Sequence, residues 1–386
     1  MTAGLADELA RRHREVADGL AEIGADCLLT VRDESVTYLT GYTTMSFKMH
    51  SRPIAVLLTT DAEVIVVAPE TEADAAEARI PGATVHRYVE MDAITPGGRL
   101  PDGHVQFAPA AGRAVAAVVH ELGAKTVGVD GLAAAWPPIG QLTALMPQLD
   151  GRTVDASQLI WTARLGKSAW ELERMKAAAQ VLAAAYGRLR EELAPGMTER
   201  EIARAFTIAQ WEAGAHEIGP LGVVADPSRG LFGAPTDRVW ERGELLYVDG
   251  AAIVDGYWSD FCRTFAAHTP TGRERAGYAR AYKGLEAAHS QPRTADEFGT
   301  SIAAHLEIRP ADVGFGRFGH GIGLHTPEPP SLHPADTTPI RDGMVLCVEP
   351  AVEHEGLNFV VEEEHAVVDG SLVMLSPPAP TEILTL

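Results

Sequence analysis

Apolar residues recur at helical spacing near the amino-terminal end (Leu5, Leu9, Val16, Leu20 and Ile23) and predict an amphipathic helix leading into the strand CLLTV. The apolar runs IAVLLT and EVIVVA, joined by a short acidic turn, predict two more strands; a helix around Ala114 to Leu122 and a strand TVGVD follow. Strands alternating with helices imply an α/β layer domain over residues 1–155. Residues 146–154, with Pro147, Asp150 and Gly151, have the composition of a linker.

Beyond that point long helical patterns come first and strands after. Ser168 with Glu171, Thr198 with Glu201 and Thr294 with Glu297 all have the Ser/Thr-x-x-Glu spacing of a capping box. Each therefore predicts a helix start, the first opening a helix that reaches about Leu193. LLYVD and the run from Tyr257 to Phe265 read as strands joined by a hairpin turn at Val254-Asp255-Gly256, and GMVLCVE and FVVEEEHAVV as closing strands. Residues 156–386 are thus expected to form an α+β domain with an antiparallel sheet.

Five residues in this half carry the candidate chemistry: Asp249, Asp260, His320, Glu349 and Glu363. Asp249 and Asp260 stand on either side of the tight turn, so two antiparallel strands can present both to one pocket. Glu349 ends an apolar strand and Glu363 lies within one, where a carboxylate is costly to bury unless paired, protonated or metal-bound. A solvated face explains any one of these residues but not all five together. Four carboxylates and an imidazole suit two divalent cations, Mn²⁺ foremost, with Co²⁺, Fe²⁺ or Zn²⁺ also compatible. Water bound to such a cation is acidic enough to attack carbon near neutral pH, which makes a hydrolase the leading expectation.

Composition narrows the partners. With 32 basic and 53 acidic residues the net charge is −21, which argues against nucleic acid and anionic membranes. No apolar run approaches the roughly 20 residues of a membrane span. Three cysteines far apart in sequence (Cys27, Cys262, Cys347) predict buried thiols in a reducing compartment rather than a disulfide framework. The first residues lack the apolar core of a signal peptide, so the cytoplasm is expected.

The segments VDGAAIVDGYWSDFCRTF, GHGIGL, GMVLCVEP and VEEEHAVV, preceded by RLGKSAWELERMKAA, occur in an order that resembles the metallopeptidase family of aminopeptidase P, prolidase and methionine aminopeptidase. The likeness spans about residues 160–386. It implies a pita-bread α+β domain of metallohydrolase type at 156–386 behind a creatinase/prolidase-type domain at 1–155, and a homodimer. By motif, Asp249 resembles the terminal aspartate ligand of one metal and Asp260 the aspartate bridging two. His320 resembles the imidazole ligand, and Glu349 a ligand that doubles as catalytic proton shuttle. Glu363 resembles the bridging glutamate; it is preferred to Glu362 and Glu364 because Glu-Glu-x-hydrophobic from there fits the family pattern and because strand parity puts those two on the other face. In relatives the first domain reaches a neighbouring subunit's pocket, which makes His50 and Arg52 candidate substrate anchors, a surface loop being the alternative.

Two departures from the peptidase pattern stand out. Where a substrate-contacting histidine usually follows the ligand histidine by seven positions, this chain has Pro327, and His325 is offset by two. Where a loop histidine usually precedes the first aspartate, it has Phe232, which then becomes a substrate-contact candidate. His325 is read as a substitute proton relay or a plain loop residue, and Glu328 as a substrate or ligand support or a solvated acid. Arg263 is expected to brace the sheet by ion pairing and His365 to face away from the metals. The Gly-x-Gly-x-x-Gly string at Gly314–Gly319 has no strand before it and reads as an approach to His320 rather than a dinucleotide site.

Three functions result. The first is a dinuclear hydrolase cleaving a C–N bond in a small amide or Xaa-Pro-like dipeptide through a metal-bridging hydroxide. The second is a metal-dependent lyase like the dimethylsulfoniopropionate-cleaving branch of the same fold, which shares the loss of histidines. The third is a binding protein that keeps the fold without catalysis.

Overall fold

The computed structural model describes residues 4–49, 52–89, 108–132, 149, 151–290, 293–309 and 316–386. The chain forms two compact units, Met1–Arg164 and Leu165–Leu386. Among the described residues no helix is long and apolar enough to cross a membrane.

The first unit is an α/β layer built on six strands: β1 (Cys27–Thr30), β2 (Ala55–Thr59), β3 (Val64–Pro69), β4 (Thr84–Tyr88), β5 (Thr126–Val129) and β6 (Arg152–Asp155). They lie in the order β4-β3-β2-β1-β5-β6, with β2 antiparallel to both neighbours and the other pairs parallel. Strands buried on both faces need apolar residues at every position, and β1, β2 and β3 are buried throughout. The helix Ala108–Glu121 supplies Val115 and Val118 to a core shared with Leu29, Leu57, Val67 and Val129. The helix Leu5–Glu22 buries Leu9, Val16 and Leu20, the face its spacing predicted. Residues 152–154, expected in the linker, instead belong to β6, because parallel pairing with β5 satisfies their backbone groups. Residues 146–148 and Asp150 lie outside the described residues.

In the second unit, Ser168 and Thr198 each accept from the N3 backbone N–H while Glu171 and Glu201 reach back, closing both predicted capping boxes at the helices Ala169–Glu192 and Glu199–Glu212. At the helix Ala295–His305 only half of the device forms: Thr294 accepts from Glu297 N–H, but the Glu297 carboxylate accepts from Arg293 N–H. Three sheets follow. β7 (Glu217–Ala225), β8 (Leu245–Val254), β9 (Tyr257–Ala266) and β17 (Leu384–Thr385) form one in the order β17-β9-β8-β7. β10 (Gly319–Gly321), β11 (Glu328–Ser331), β12 (Val345–Val348), β15 (Glu363–Val368) and β16 (Ser371–Met374) form the second, ordered β11-β10-β12-β15-β16. β13 (Ala351–His354) and β14 (Leu357–Val360) make a separate hairpin.

The β8–β9 hairpin turns through Asp255 and Gly256, both at positive φ (51° and 83°), as a two-residue type I′ turn demands. Its back is pinned by the buried Tyr186 hydroxyl, which donates to the carbonyls of Val248 (3.0 Å) and Phe261 (2.8 Å). Gly250 lets Phe206 lie directly against the strand, since a Cβ there would sit 2.6 Å from the ring. Arg263 braces this region, and among the described residues it forms no ion pair. Its guanidinium donates to the carbonyls of Cys262, Glu362 and Pro377 and covers the Phe261 ring at 4.6 Å.

Candidate metal centre

Register decides which acids meet. In the β8–β9 ladder Asp249 stands opposite Cys262 and Asp260 opposite Ala251, so the two aspartates are diagonal neighbours on one face. In the second sheet His320 pairs with Cys347, and Cys347 with Glu364. Strand alternation returns Glu349, two positions past Cys347, and Glu362, two before Glu364, to that same face.

The parity argument that separated Glu363 from its neighbours describes the strand correctly but assigns the wrong face. Glu363 pairs with Val348 and turns away; its carboxylate accepts from Ala379 N–H at 2.8 Å and lies 3.5 Å from His365 Nε2. Glu362 takes the place expected for Glu363. Carboxylate oxygens of Asp249, Asp260 and Glu362 all lie within 4.8 Å of one another, and so do ligand atoms of His320, Cys347 and Glu362. His320 Nε2 is 3.6 Å from Glu349 Oε1. Because one antiparallel register carries Glu349 and Glu362 inward together, the signal available in the sequence was the pairing of GMVLCVE with FVVEEEHAVV, not the motif letters alone.

Electrostatics follow from burial. His320 Nδ1 lies 2.9 Å from the Gly321 carbonyl, a contact that puts the proton on Nδ1 and leaves the Nε2 lone pair free. Burial, with the nearby Arg317 charge, lowers the imidazole to about 4, so it is neutral at pH 7. Burial pushes Asp249 up to about 6. Glu349 rises to about 7, again by burial, with Arg317 opposing and Asp249 adding to the shift. Asp260 and Glu362 are driven well above the carboxylate range by burial and then by the neighbouring carboxylates. Behind them Glu364 is raised by burial to about 8 and accepts from Ser259 Oγ at 2.5 Å. Among the described residues, buried Asp249 Oδ1 and Glu364 Oε1 have no hydrogen-bond partner.

Unsatisfied acid oxygens, crowded carboxylates and a neutral imidazole with a free nitrogen fit a divalent-cation site, because a cation supplies the missing countercharge and coordinates oxygen and nitrogen together. Thr326 Oγ1 donates to Asp260 Oδ2 at 2.9 Å and orients it, a support that the sequence reading missed.

These groups open into a cavity of about 430 Å³ whose other walls include Leu221, Leu231, Phe232, Pro327, Ala351 and Val360. Phe232, 80% exposed, and Pro327 both line it, so the two positions where histidines were expected do face the site. Arg317 lines it too and was not anticipated. His325 does not: its ring lies 5.6 Å from Trp258 and its N–H donates to Glu328 Oε1 at 3.1 Å. Glu328, expected near substrate, is buried in the turn, accepting from Leu324 N–H (3.0 Å) and His325 N–H, with Lys167 Nζ at 3.4 Å. Its role is to close that loop. Arg52 is half-buried in the first unit, and His50 lies outside the described residues. A larger cleft of about 680 Å³ around His268, Tyr278 and Ile383 contains none of the acids.

The profile of metallopeptidase family M24 matches residues 173–369, just over half of the chain. The chain belongs to this family. Residues 12–165 match the creatinase/prolidase N-terminal domain, as the α/β unit leads one to expect. Among M24 relatives, the Xaa-Pro dipeptidase of Pyrococcus furiosus is 30% identical over 212 residues, covering 53% of this chain and 61% of that protein. The peptidase YqhT of Bacillus subtilis is 25% identical over 337 residues, 86% of this chain and 87% of its own length. The solved Xaa-Pro dipeptidase from Bacillus anthracis is similar in fold, with a TM-score of 0.79 at 21% identity, covering 98% of this chain and all of the other.

Proposed function

We propose that this protein is a dinuclear metal-dependent hydrolase that cleaves the C–N bond of a small amide, Xaa-Pro-like dipeptides being the first class to test. The observation that carries this reading is the convergence of Asp249, Asp260 and Glu362 oxygens within 4.8 Å beside His320 and Glu349. Asp249, Asp260, His320, Glu349 and Glu362 would hold the cations. When bound, the cations, Mn²⁺ foremost, supply an acidified water as nucleophile and a positive field for the developing oxyanion. The chain's own residues do the rest. Glu349, partly open to the cavity, accepts the proton of the attacking water and delivers it to the leaving nitrogen. Thr326 holds Asp260 in orientation, and the Gly321 carbonyl holds the His320 tautomer. Membership of M24 and likeness to Xaa-Pro dipeptidases support the substrate class.

Chelation should abolish turnover of an Xaa-Pro and small-amide panel, and Mn²⁺ or Co²⁺ should restore it; full activity in metal-free protein would overturn the reading. A second reading, the lyase, is favoured by Phe232 and Pro327, which place apolar surface where the peptidases carry histidines. Release of an alkene without uptake of water would select it. Absence of bound cation together with silence on both panels would leave a binding protein.

A further inference from the structure

The second sheet brings a thiol to the acids. On β12, Cys347 stands opposite His320 of β10 on one side and opposite Glu364 of β15 on the other, so the three side chains form a row across one face. Glycine makes the first approach possible: a Cβ at Gly319 would collide with the Cys347 carbonyl oxygen and force β10 away from β12. Cys347 Sγ, a ring nitrogen of His320 and a carboxylate oxygen of Glu362 lie within 4.8 Å of one another, and all three residues are buried. Around a four-coordinate cation with bonds of about 2.0–2.3 Å the donor atoms are roughly 3.5 Å apart, so these three need to close by only about 1 Å. Among the described residues His320 Nε2 has no hydrogen-bond partner, Glu349 Oε1 at 3.6 Å being beyond reach, and neither has the buried Glu364 Oε1 on the other side of the thiol. Cys347 Sγ–H donates to the Asp260 carbonyl at 3.5 Å, a weak bond and the competing use of the thiol.

The other close group, Asp249, Asp260 and Glu362, offers oxygen alone. Glu362 is common to both, so the centre has two unlike halves. Carboxylate oxygens suit Mn²⁺, whereas a thiolate beside an imidazole favours Zn²⁺ or Co²⁺. We propose that Cys347 is a metal ligand and that its half of the centre selects Zn²⁺ or Co²⁺ over Mn²⁺; this rests on the cation centre of the hydrolase reading and adds the identity of one ion. As the cation binds, the metal–sulfur bond forms, the S–H bond breaks and the proton leaves to solvent. The bond to sulfur also takes the place of the weak one to the Asp260 carbonyl, so the thiol exchanges one partner for a stronger one.

The test titrates chelated protein with Co²⁺ in wild type, Cys347→Ser, Cys347→Ala and Cys262→Ser. Wild type should develop a sulfur-to-cobalt charge-transfer band in the near ultraviolet that saturates at one Co²⁺ per chain. The band should vanish in both Cys347 variants and persist in Cys262→Ser, because Cys262 belongs to neither close group. In competition between Zn²⁺ and Mn²⁺, the wild-type preference for Zn²⁺ should fall at least about 10-fold in Cys347→Ser, the lower end of what even an outer partner is worth. Co²⁺ bound without the band, or a band that survives in Cys347→Ser, overturns the ligand and leaves the thiol on the Asp260 carbonyl. Should the Cys347 variants not fold, X-ray absorption on Zn²⁺-loaded wild type decides: a sulfur scatterer at about 2.3 Å supports the ligand, and its absence overturns it. No cation bound at all overturns the ligand together with the centre. The band in a protein that hydrolyses no amide leaves the ligand standing while the hydrolase reading fails; amide hydrolysis by a Co²⁺ form without the band has the opposite meaning.

Discussion

Two clusters of acids, one in each unit, are compensated in opposite ways. In the first, Glu8 meets Arg12 at 2.8 Å and Arg11 at 2.7 Å, and Glu34 lies between Arg32 and Arg164. Burial would raise both carboxyls, but the guanidinium groups hold them below the ordinary range. In the second, the buried Glu362 and the half-buried Asp249, Asp260 and Glu349 face one another, and all are raised. Like charges brought together destabilise a fold unless something neutralises them. Glu8 and Glu34 find their countercharge in neighbouring arginines, whereas the cluster in the second unit has the chemistry of a cation site.

The strongest way to break this contrast is to change two neighbours where β15 begins. Glu362→Gln should lower metal occupancy and turnover by more than about 100-fold, above the usual cost of losing an outer partner, whereas Glu363→Gln should leave metal stoichiometry intact and change turnover by less than about fivefold. Metal analysis and kinetics on the two variants check it, and equal effects would dissolve the distinction between the faces.

Stability should reverse sign between the units. In chelated protein Asp260→Asn removes an uncompensated acid and should stabilise the second unit by about 1–3 kcal/mol; with saturating Mn²⁺ it should be destabilising, because the cation's linkage contribution, about 2.7 kcal/mol at 100 times its Kd, is weakened. Glu34→Gln should destabilise under both conditions, by about 3 kcal/mol at most for a pair still partly open to solvent. Urea denaturation with and without metal measures all four cases.

A pH series sharpens the same point. Asp249 and Glu349 are raised to about 6 and about 7, above their unfolded values, so the folded apo protein holds more protons and loses stability as pH rises from about 4 to about 7. His320, lowered to about 4, acts the other way between about 4 and 6.5, but it is one group against several raised carboxyls. Chelated protein should therefore be less stable at pH 8 than at pH 5, and bound metal should flatten the difference. The smallest effect belongs to Thr326→Val, which removes one hydrogen bond to Asp260 and should cost about 0.5–1.5 kcal/mol, less than about tenfold in turnover.

Much of the architecture was readable because it is local. The capping boxes at Ser168 and Thr198 and the Asp255-Gly256 turn depend on residues a few positions apart, so their spacing in the chain is enough to specify them. Asp249 and Asp260 were legible for the same reason, being joined by that turn. Arg263 supports the sheet through the carbonyls of Glu362 and Pro377 where an ion pair was expected, and the Trp258 neighbour of His325 and the Lys167 neighbour of Glu328 are distant in the chain; no spacing reveals such partners.

By itself the sequence determined which residue types are present, the alternation along each strand, and hence that Glu363 must oppose Glu362 and Glu364. Only the tertiary structure decided which of those faces looks inward, since that depends on the register between β12 and β15 and on the approach of the β8–β9 hairpin, whose Ser259 meets Glu364 from 105 residues away. Alternation is a property of one strand's covalent geometry; its absolute sense is a property of what that strand packs against.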